Sequence, residues 1–335
     1  MKVMLIGSAD MSGKTIGGQF EKTRLVYNFL NNVKDVDVFF CNMFDVGRAF
    51  GLLSSVIKGY IKNDCVVVIT STRGTKVISR VLYFLHKIKK KTTVYLIVGN
   101  QQEFLKKVPR SIASEMDKLY FEVDSMQNQL NNKYSVGFFS NCKDIHQIKV
   151  DRRVQKPIKI CYYSEISYRK GFDRIVRALD ILNQINDIYI MDAYGYFATD
   201  EADMKKFFDS RPYLHFKGVI KREITHEVLS QYSFMVFPSR HKLEGVPGAV
   251  VDAYEAGLPV VCSKVGFLPE VVKEGQTGFL FENEEELIEV LKKAYNDPDM
   301  IERLRENVLA EAQKYDIKES IERLHNDLII LNAGE

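Results

Sequence analysis

Two successive series of short, continuous apolar segments, each separated by amphipathic stretches, limit the folds open to this chain more than any other feature. In the first half, residues 2–6, 36–41, 65–70 and 93–98 are largely apolar. Val66-Val67-Val68-Ile69 and Val94-Tyr95-Leu96-Ile97-Val98 show no polar alternation. Strands of that kind are covered on both faces, as in parallel sheets. Helical periodicity fills the gaps at 20–30, 46–61 and 76–88, and 119–123 and 136–139 suggest two further strands. A second series starts at Ile158, with strands expected at 158–163, 188–191, 214–218, 234–237, 259–262 and 278–281. Gly257 and Gly278 punctuate it. Two such βαβ series imply an α/β chain of two doubly wound, Rossmann-like parallel-sheet domains facing across a cleft. The polar, irregular stretch 142–157 is the natural linker. It divides the chain into domains 1–150 and 151–316, with a final amphipathic helix in 317–335. Asn283 reads as an N-cap, followed by Glu284, Glu285 and Glu286 in the first turn.

The 335 residues leave room for two domains of ordinary size. No apolar run approaches the ~18 residues of a membrane span. The first residues, Met1-Lys2-Val3-Met4-Leu5-Ile6-Gly7, read as a strand rather than a secretion signal. Five scattered cysteines without a C-x-x-C pair argue against a disulfide framework or zinc site and for a reducing cytoplasm. Charge is split: residues 1–150 hold 22 Lys and Arg against 12 Asp and Glu, and the remainder 25 against 32. A basic first half suits an anionic surface or partner. Two clusters concentrate it, Lys87-Ile88-Lys89-Lys90-Lys91 and Phe104-Leu105-Lys106-Lys107-Val108-Pro109-Arg110. The second mixes apolar and basic residues as interfacial segments do, and a solvated helix end and loop is the equal alternative. No nucleic-acid recognition motif accompanies them.

The densest cluster of candidate chemistry is Glu244-Gly245-Val246-Pro247-Gly248-Ala249-Val250-Val251-Asp252. A carboxylate follows a strand and a short polar loop; a second sits eight positions on, inside a helix-like segment of about two turns that starts at Gly248. Backbone N–H groups at such a helix start attract phosphate. The alternative is a strand–turn–helix unit with merely solvated acids. Gly7-Ser8-Ala9-Asp10-Met11-Ser12-Gly13-Lys14-Thr15 nearly forms a P-loop, but its spacing is one residue too long and Ser8 replaces a needed glycine.

The Glu244 stretch, continued by Ala253-Tyr254-Glu255-Ala256-Gly257-Leu258-Pro259-Val260-Val261, resembles the E-x7-E region of retaining glycosyltransferases of the GT-B fold, family 4 in particular. Asp252 stands where the second glutamate is usual, and Glu255 replaces an alanine. Phe216-Lys217-Gly218-Val219-Ile220 and Gly275-Gln276-Thr277-Gly278-Phe279-Leu280 extend the likeness. The resemblance implies transfer of a hexose-type sugar, with retention of configuration, from a UDP- or GDP-linked donor to a glycan or lipid-linked glycan. No metal or further cofactor is implied. Glu244 is expected to bind donor-sugar hydroxyls and Lys170 the diphosphate, as the catalytic pair. Gly17, Gly18, Glu165, Arg169, Gly195, Val219, Gly245, Val246, Pro247, Gly248, Ala249 and Asp252 are expected to line the donor site, Asp252 at the ribose.

Two departures qualify the resemblance. Glu165 occupies a position usually held by arginine, with Arg169 near enough to compensate. Asn100, on the acceptor side, stands where a first-domain histidine is usual and cannot act as an acid or base at neutral pH. The implied place is the cytoplasm, at the inner face of an anionic membrane. The closing helix, with Ile321, Leu324 and Leu328, is expected to return to the first domain. The alternative function is a degenerate GT-B subunit that binds a glycan or partner without chemistry.

Overall fold

The computed structural model of this protein describes residues 1–12, 18–44, 49–98, 104, 106, 108–145, 154–184, 188–198 and 201–334. Two compact units divide the chain: Met1–Asp144 with Asp316–Glu335, and Ile145–Tyr315.

In the first unit six parallel strands, β1 (Lys2–Gly7), β2 (Asp37–Asn42), β3 (Cys65–Ser71), β4 (Thr92–Val98), β5 (Lys118–Phe121) and β6 (Val136–Phe138), order as β2-β1-β3-β4-β5-β6. Helices α1 (Gly18–Asn32), α2 (Ala49–Lys62) and α3 (Thr72–Ile88) make the crossovers between the first four. The alternating faces of the strands sort the helices. Val3, Leu5, Val67, Val94 and Leu96 pack with Leu25, Val26 and Leu30 of α1. The opposite face takes α2, where a Cβ on Gly59 would lie 2.7 Å from the Met4 methyl carbon.

The last helix, α8 (Ile317–Ala333), caps the α1 side of this sheet with Ile317, Ile321, Leu324 and Leu328. Its N-cap Asp316 accepts a bond from the Lys318 N–H at 2.7 Å. Tyr120 of β5 donates to Asp327, and Lys118 pairs with the same carboxylate at 3.2 Å.

The first basic cluster is exposed at Lys87, Ile88, Lys89 and Lys90 but not at its end. Lys91 is buried, its ammonium bonded to the carbonyls of Asn63 and Ile61 and set 5.4 Å from the Tyr60 ring centre. Phe104 and Val108 of the second cluster belong to the core. These two apolar side chains point inward.

The second unit repeats the plan with β7 (Ile158–Tyr163), β8 (Tyr189–Tyr194), β9 (Leu214–Gly218), β10 (Phe234–Phe237), β11 (Val260–Ser263) and β12 (Gly278–Phe281), ordered β12-β11-β10-β7-β8-β9. Strand β8 runs three residues past the expected end at 191. Its partly buried Asp192 and Tyr194 break the apolar run there. Helices α4 (Phe172–Leu182) and α5 (Gly248–Glu255) follow β7 and β10; α6 (Glu284–Asn296) and α7 (Pro298–Ala312) close the unit. Asn283 caps α6, accepting from the Glu286 N–H. Asp297 caps α7, accepting from the Met300 N–H, and forms the junction between the two helices.

Candidate active site

The strand order of the second sheet reverses between β7 and β10: the chain runs outward from β7 through β8 and β9, then returns to the other side at β10. In open α/β sheets the crevice beyond the carboxyl ends of such a pair is where ligands sit. The loops leaving these two strands carry Lys170 and Glu244.

The structure brings these two side chains together. The Lys170 ammonium donates to both Glu244 oxygens, at 2.9 and 2.8 Å, and both side chains are largely buried. Ser239 donates to the same carboxylate at 2.6 Å. Ser239 is itself held, receiving the His241 N–H on its oxygen at 3.2 Å, while its carbonyl accepts from Ser263 at 2.5 Å. Glu244 is also fixed through its backbone: its N–H donates to the His241 carbonyl at 3.0 Å and its carbonyl accepts from the Phe267 N–H at 3.0 Å.

Two glycines let the loops close this tightly. Gly171 has φ +75°, and a Cβ there would lie 1.9 Å from the Pro238 carbonyl oxygen. Gly266 has φ +56°, and its Cβ would lie 2.2 Å from the Glu244 carbonyl oxygen. Neither position has room for a side chain, and both backbones lie in the left-handed region. Across the same seam Arg240 donates to the Tyr168 carbonyl at 2.7 Å and to both oxygens of Asp173, at 2.5 and 2.8 Å. Arg177 also binds Asp173, at 2.7 Å. Burial would push the Asp173 carboxyl up, but the bonds from Arg240 and Arg177 overcome it and hold it below the usual range.

Glu165 does not face open solvent alone. It accepts from Ser167 at 2.8 Å, from Arg169 at 3.2 Å to each oxygen and from Tyr196 at 3.4 Å. Burial raises its carboxyl, but Ser167 and Arg169, with the charge of Lys170 behind them, bring it below the ordinary value. Arg169 thus lies on Glu165.

Helix α5 begins at Gly248, with Pro247 at the N-cap and no side-chain bond to the first turn. A Cβ at Gly248 would meet nothing within 4 Å. Its first N–H groups are therefore free of side-chain capping and open to approach. Asp252 lies about one turn in, buried, beside Tyr163 and Arg222. Burial raises the Tyr163 hydroxyl and the Asp252 carboxylate raises it further. Burial lowers Arg222, with Asp252, Glu223 and Glu255 opposing.

Gly245 and Ala249 are half-buried and Val246 is buried beside them. Gly195 stands at the end of β8, its N–H donating to the Gly218 carbonyl at 2.8 Å. Val219 is exposed in the next loop. Gly18 opens α1 in the other unit. Gly17, Asn100 and the Gly13-Lys14-Thr15 end of the near-P-loop lie outside the described residues. Among the described residues no group of three or more His, Cys, Asp or Glu is placed to hold a metal ion.

Sequence reasoning missed Ser239, the Arg240–Asp173 clamp and the Tyr163 and Arg222 partners of Asp252. The signal for the first two was the segment Phe237-Pro238-Ser239-Arg240, which carries a polar pair from the end of an apolar strand toward Glu244.

The family described as glycosyl transferases group 1 matches residues 143–310, half of the chain. Sulfoquinovosyl transferase SQD2 of Arabidopsis thaliana is 25% identical over 178 residues, 52% of this chain and 33% of that protein. N-acetyl-alpha-D-glucosaminyl L-malate synthase of Bacillus anthracis is 22% identical over 240 residues, 68% of this chain and 61% of that protein. The chain therefore spans about a third to three-fifths of the length of these relatives. Among solved structures, Anabaena Alr3699/HepE in complex with UDP superposes with a TM-score of 0.74 at 16% identity, over 98% of this chain and 99% of that one. Sucrose-phosphate synthase of Thermosynechococcus elongatus gives 0.74 at 15% identity over 100% of both chains. The chain belongs to the glycosyl transferases group 1 family and has the GT-B fold.

Proposed function

We propose that this protein is a retaining glycosyltransferase that moves a hexose-type sugar from a UDP- or GDP-linked donor to a glycan or lipid-linked glycan acceptor at the inner face of a membrane. The observation that carries this proposal is the buried Lys170–Glu244 pair at the strand-order reversal, beside the uncapped start of α5. Anabaena Alr3699/HepE, which shares the fold, has been crystallised with UDP-glucose. Lys170 and the first N–H groups of α5 meet the diphosphate. Their positive charge stabilises the leaving group as the glycosidic bond breaks, the part a divalent cation plays elsewhere. The nucleotide-sugar is a co-substrate, and neither metal nor other cofactor is required. Glu244, released from Lys170 as the lysine turns to phosphate, takes the sugar hydroxyls and positions the reacting carbon. Asp252 meets the ribose.

Calorimetric titration with UDP, GDP and ATP, on the natural chain and on Lys170→Ala, tests the site. One nucleoside diphosphate should bind, and binding should weaken about tenfold or more in the variant, as loss of a charge-assisted contact implies. Transfer should fall roughly a hundredfold or more in Glu244→Gln and should survive a chelator. A second reading, a degenerate binding subunit, draws on the ionised Glu165 carboxylate beside the proposed phosphate site, where it opposes an anion. A folded chain that binds neither UDP nor GDP would favour it.

A further inference from the structure

Helix α3 is apolar on two faces, and only one of them is used. Ile78, Leu82 and His86 turn inward and are buried, with Ser79 beside them. Val77, Val81, Phe84 and Ile88, at spacings of four, three and four, form a second stripe pointing outward. Val77 is 57%, Phe84 69% and Ile88 84% exposed. From 77 to 88 the stripe runs about 16 Å along the helix.

Helix α2 lies on the same side of the sheet, and the C-terminal ends of the two helices are joined: Tyr60 donates to the Lys89 carbonyl at 2.7 Å and Lys91 to the Ile61 carbonyl at 3.3 Å. Ile61, 68% exposed, continues the apolar surface there. An exposed run of large side chains on this scale marks an interaction surface.

Its charge says what covers it. Between Ala49 and Lys91 the chain has nine Lys and Arg and a single acid, Asp64. Asp64 is occupied with the Lys2 N–H at 2.7 Å. Lys58, Lys62, Lys76, Lys89 and Lys90 are exposed around the stripe. Lys87 leans on Glu115 at 3.4 Å yet remains half-exposed. An apolar strip within a predominantly basic field matches the boundary of a bilayer bearing anionic headgroups. There the side chains enter the acyl edge and each nearby Lys or Arg adds attraction. Nucleic acid would leave Phe84 and Ile88 without a partner.

We infer that the outer face of α3, with the C-terminal end of α2, is a membrane-docking surface for anionic phospholipid. This deepens the acceptor side of the proposed function and rests on it only for its purpose, since the surface stands whether or not the chain transfers sugar.

The test is flotation of the full chain with vesicles of phosphatidylcholine alone, or of phosphatidylcholine mixed with an equal part of phosphatidylglycerol. Binding is expected on the mixed vesicles only and should fall as salt rises. It should drop roughly tenfold or more in Phe84→Ser/Ile88→Ser and in Lys89→Glu/Lys90→Glu. All four side chains are exposed, and an unchanged circular dichroism melt confirms folding. Equal binding to both vesicle types, undiminished binding by both variants, or none at all overturns the proposal. So does a dimer in sedimentation that Phe84→Ser/Ile88→Ser dissociates, which would assign the face to a second copy. Titration of the same variants with UDP and GDP separates the two proposals. Donor binding without vesicle binding sinks this one alone; vesicle binding without donor binding sinks the transferase alone.

Discussion

The two sheets obey one winding rule and use buried charge for different ends. Both have six parallel strands and a reversal of strand order, between β1 and β3 in the first and between β7 and β10 in the second. At the second reversal two buried carboxylates are held by cations from the loops: Lys170 on Glu244, and the exposed Arg240 on Asp173 at the start of α4. In the first sheet the buried pair is elsewhere. Lys22 of α1 donates to Glu122, just past β5, at 3.0 Å and to the Phe139 carbonyl, just past β6, at 2.9 Å. That pair pins a helix to two strand ends. The fold offers both units the same kind of crevice, and what the loops place there decides whether charge binds a ligand or braces the scaffold.

The largest expected effect tests the bracing half of this contrast. Lys22→Met removes the ammonium that faces the buried Glu122 carboxylate, and breaking a buried pair costs about 3–5 kcal/mol. Hydrogen exchange read by peptide should show faster opening of β5 and β6, with the second unit unchanged. The double variant Lys22→Met/Glu122→Gln should recover most of the loss, because neither partner is left charged. UDP or GDP affinity should survive both. A loss of affinity without a loss of protection would mean that Lys22 serves the ligand, and the contrast would collapse.

A smaller effect separates two glycines of the second unit. Gly171→Ala forces a Cβ to within 1.9 Å of the Pro238 carbonyl oxygen in a left-handed backbone. It should cost at least about 2 kcal/mol in urea unfolding followed by circular dichroism. Gly248→Ala has open space and a helical position that alanine favours, so stability should hold or rise slightly. Donor affinity should fall, because the added methyl stands over the N–H groups proposed to meet phosphate. Equal stabilities for the two variants would contradict the tight seam.

What could be read from the sequence follows the same divide. Every strand expected in either half is present, most within a residue or two, because continuous apolar runs can be satisfied only by burial on both faces. Glu244, Asp252 and Lys170 were legible because their spacing relative to glycines and a strand end is local. Their mutual contact was not, since 74 positions separate Lys170 from Glu244. Ser239, Arg240 and Asp173 were missed for that reason: each is an ordinary polar residue until two loops meet. The outer stripe of α3 escaped for another. Val77, Val81, Phe84 and Ile88 have the same helical spacing as the core residues between them, and periodicity cannot say which of two apolar faces meets the sheet.

The smallest effect is a dependence on pH, and it follows from the Asp173 clamp. Its carboxyl is held below the ordinary value by Arg240 and Arg177 against the opposing effect of burial. A depressed carboxyl binds fewer protons folded than unfolded. Its stabilisation is therefore complete above the unfolded value of about 4 and is lost as pH falls through the folded one. Protection of the second unit in hydrogen exchange should decline across that acid window. Asp173→Asn should start lower at neutral pH and decline less, so that the two curves converge in acid; the first unit serves as an internal control that the substitution leaves alone. Because Arg240 also holds the Tyr168 carbonyl beside Lys170, UDP or GDP affinity should weaken together with protection. Parallel curves for the natural chain and Asp173→Asn would show that the clamp does not titrate, and the seam between the loops would then rest on its glycine packing and on the Lys170–Glu244 pair.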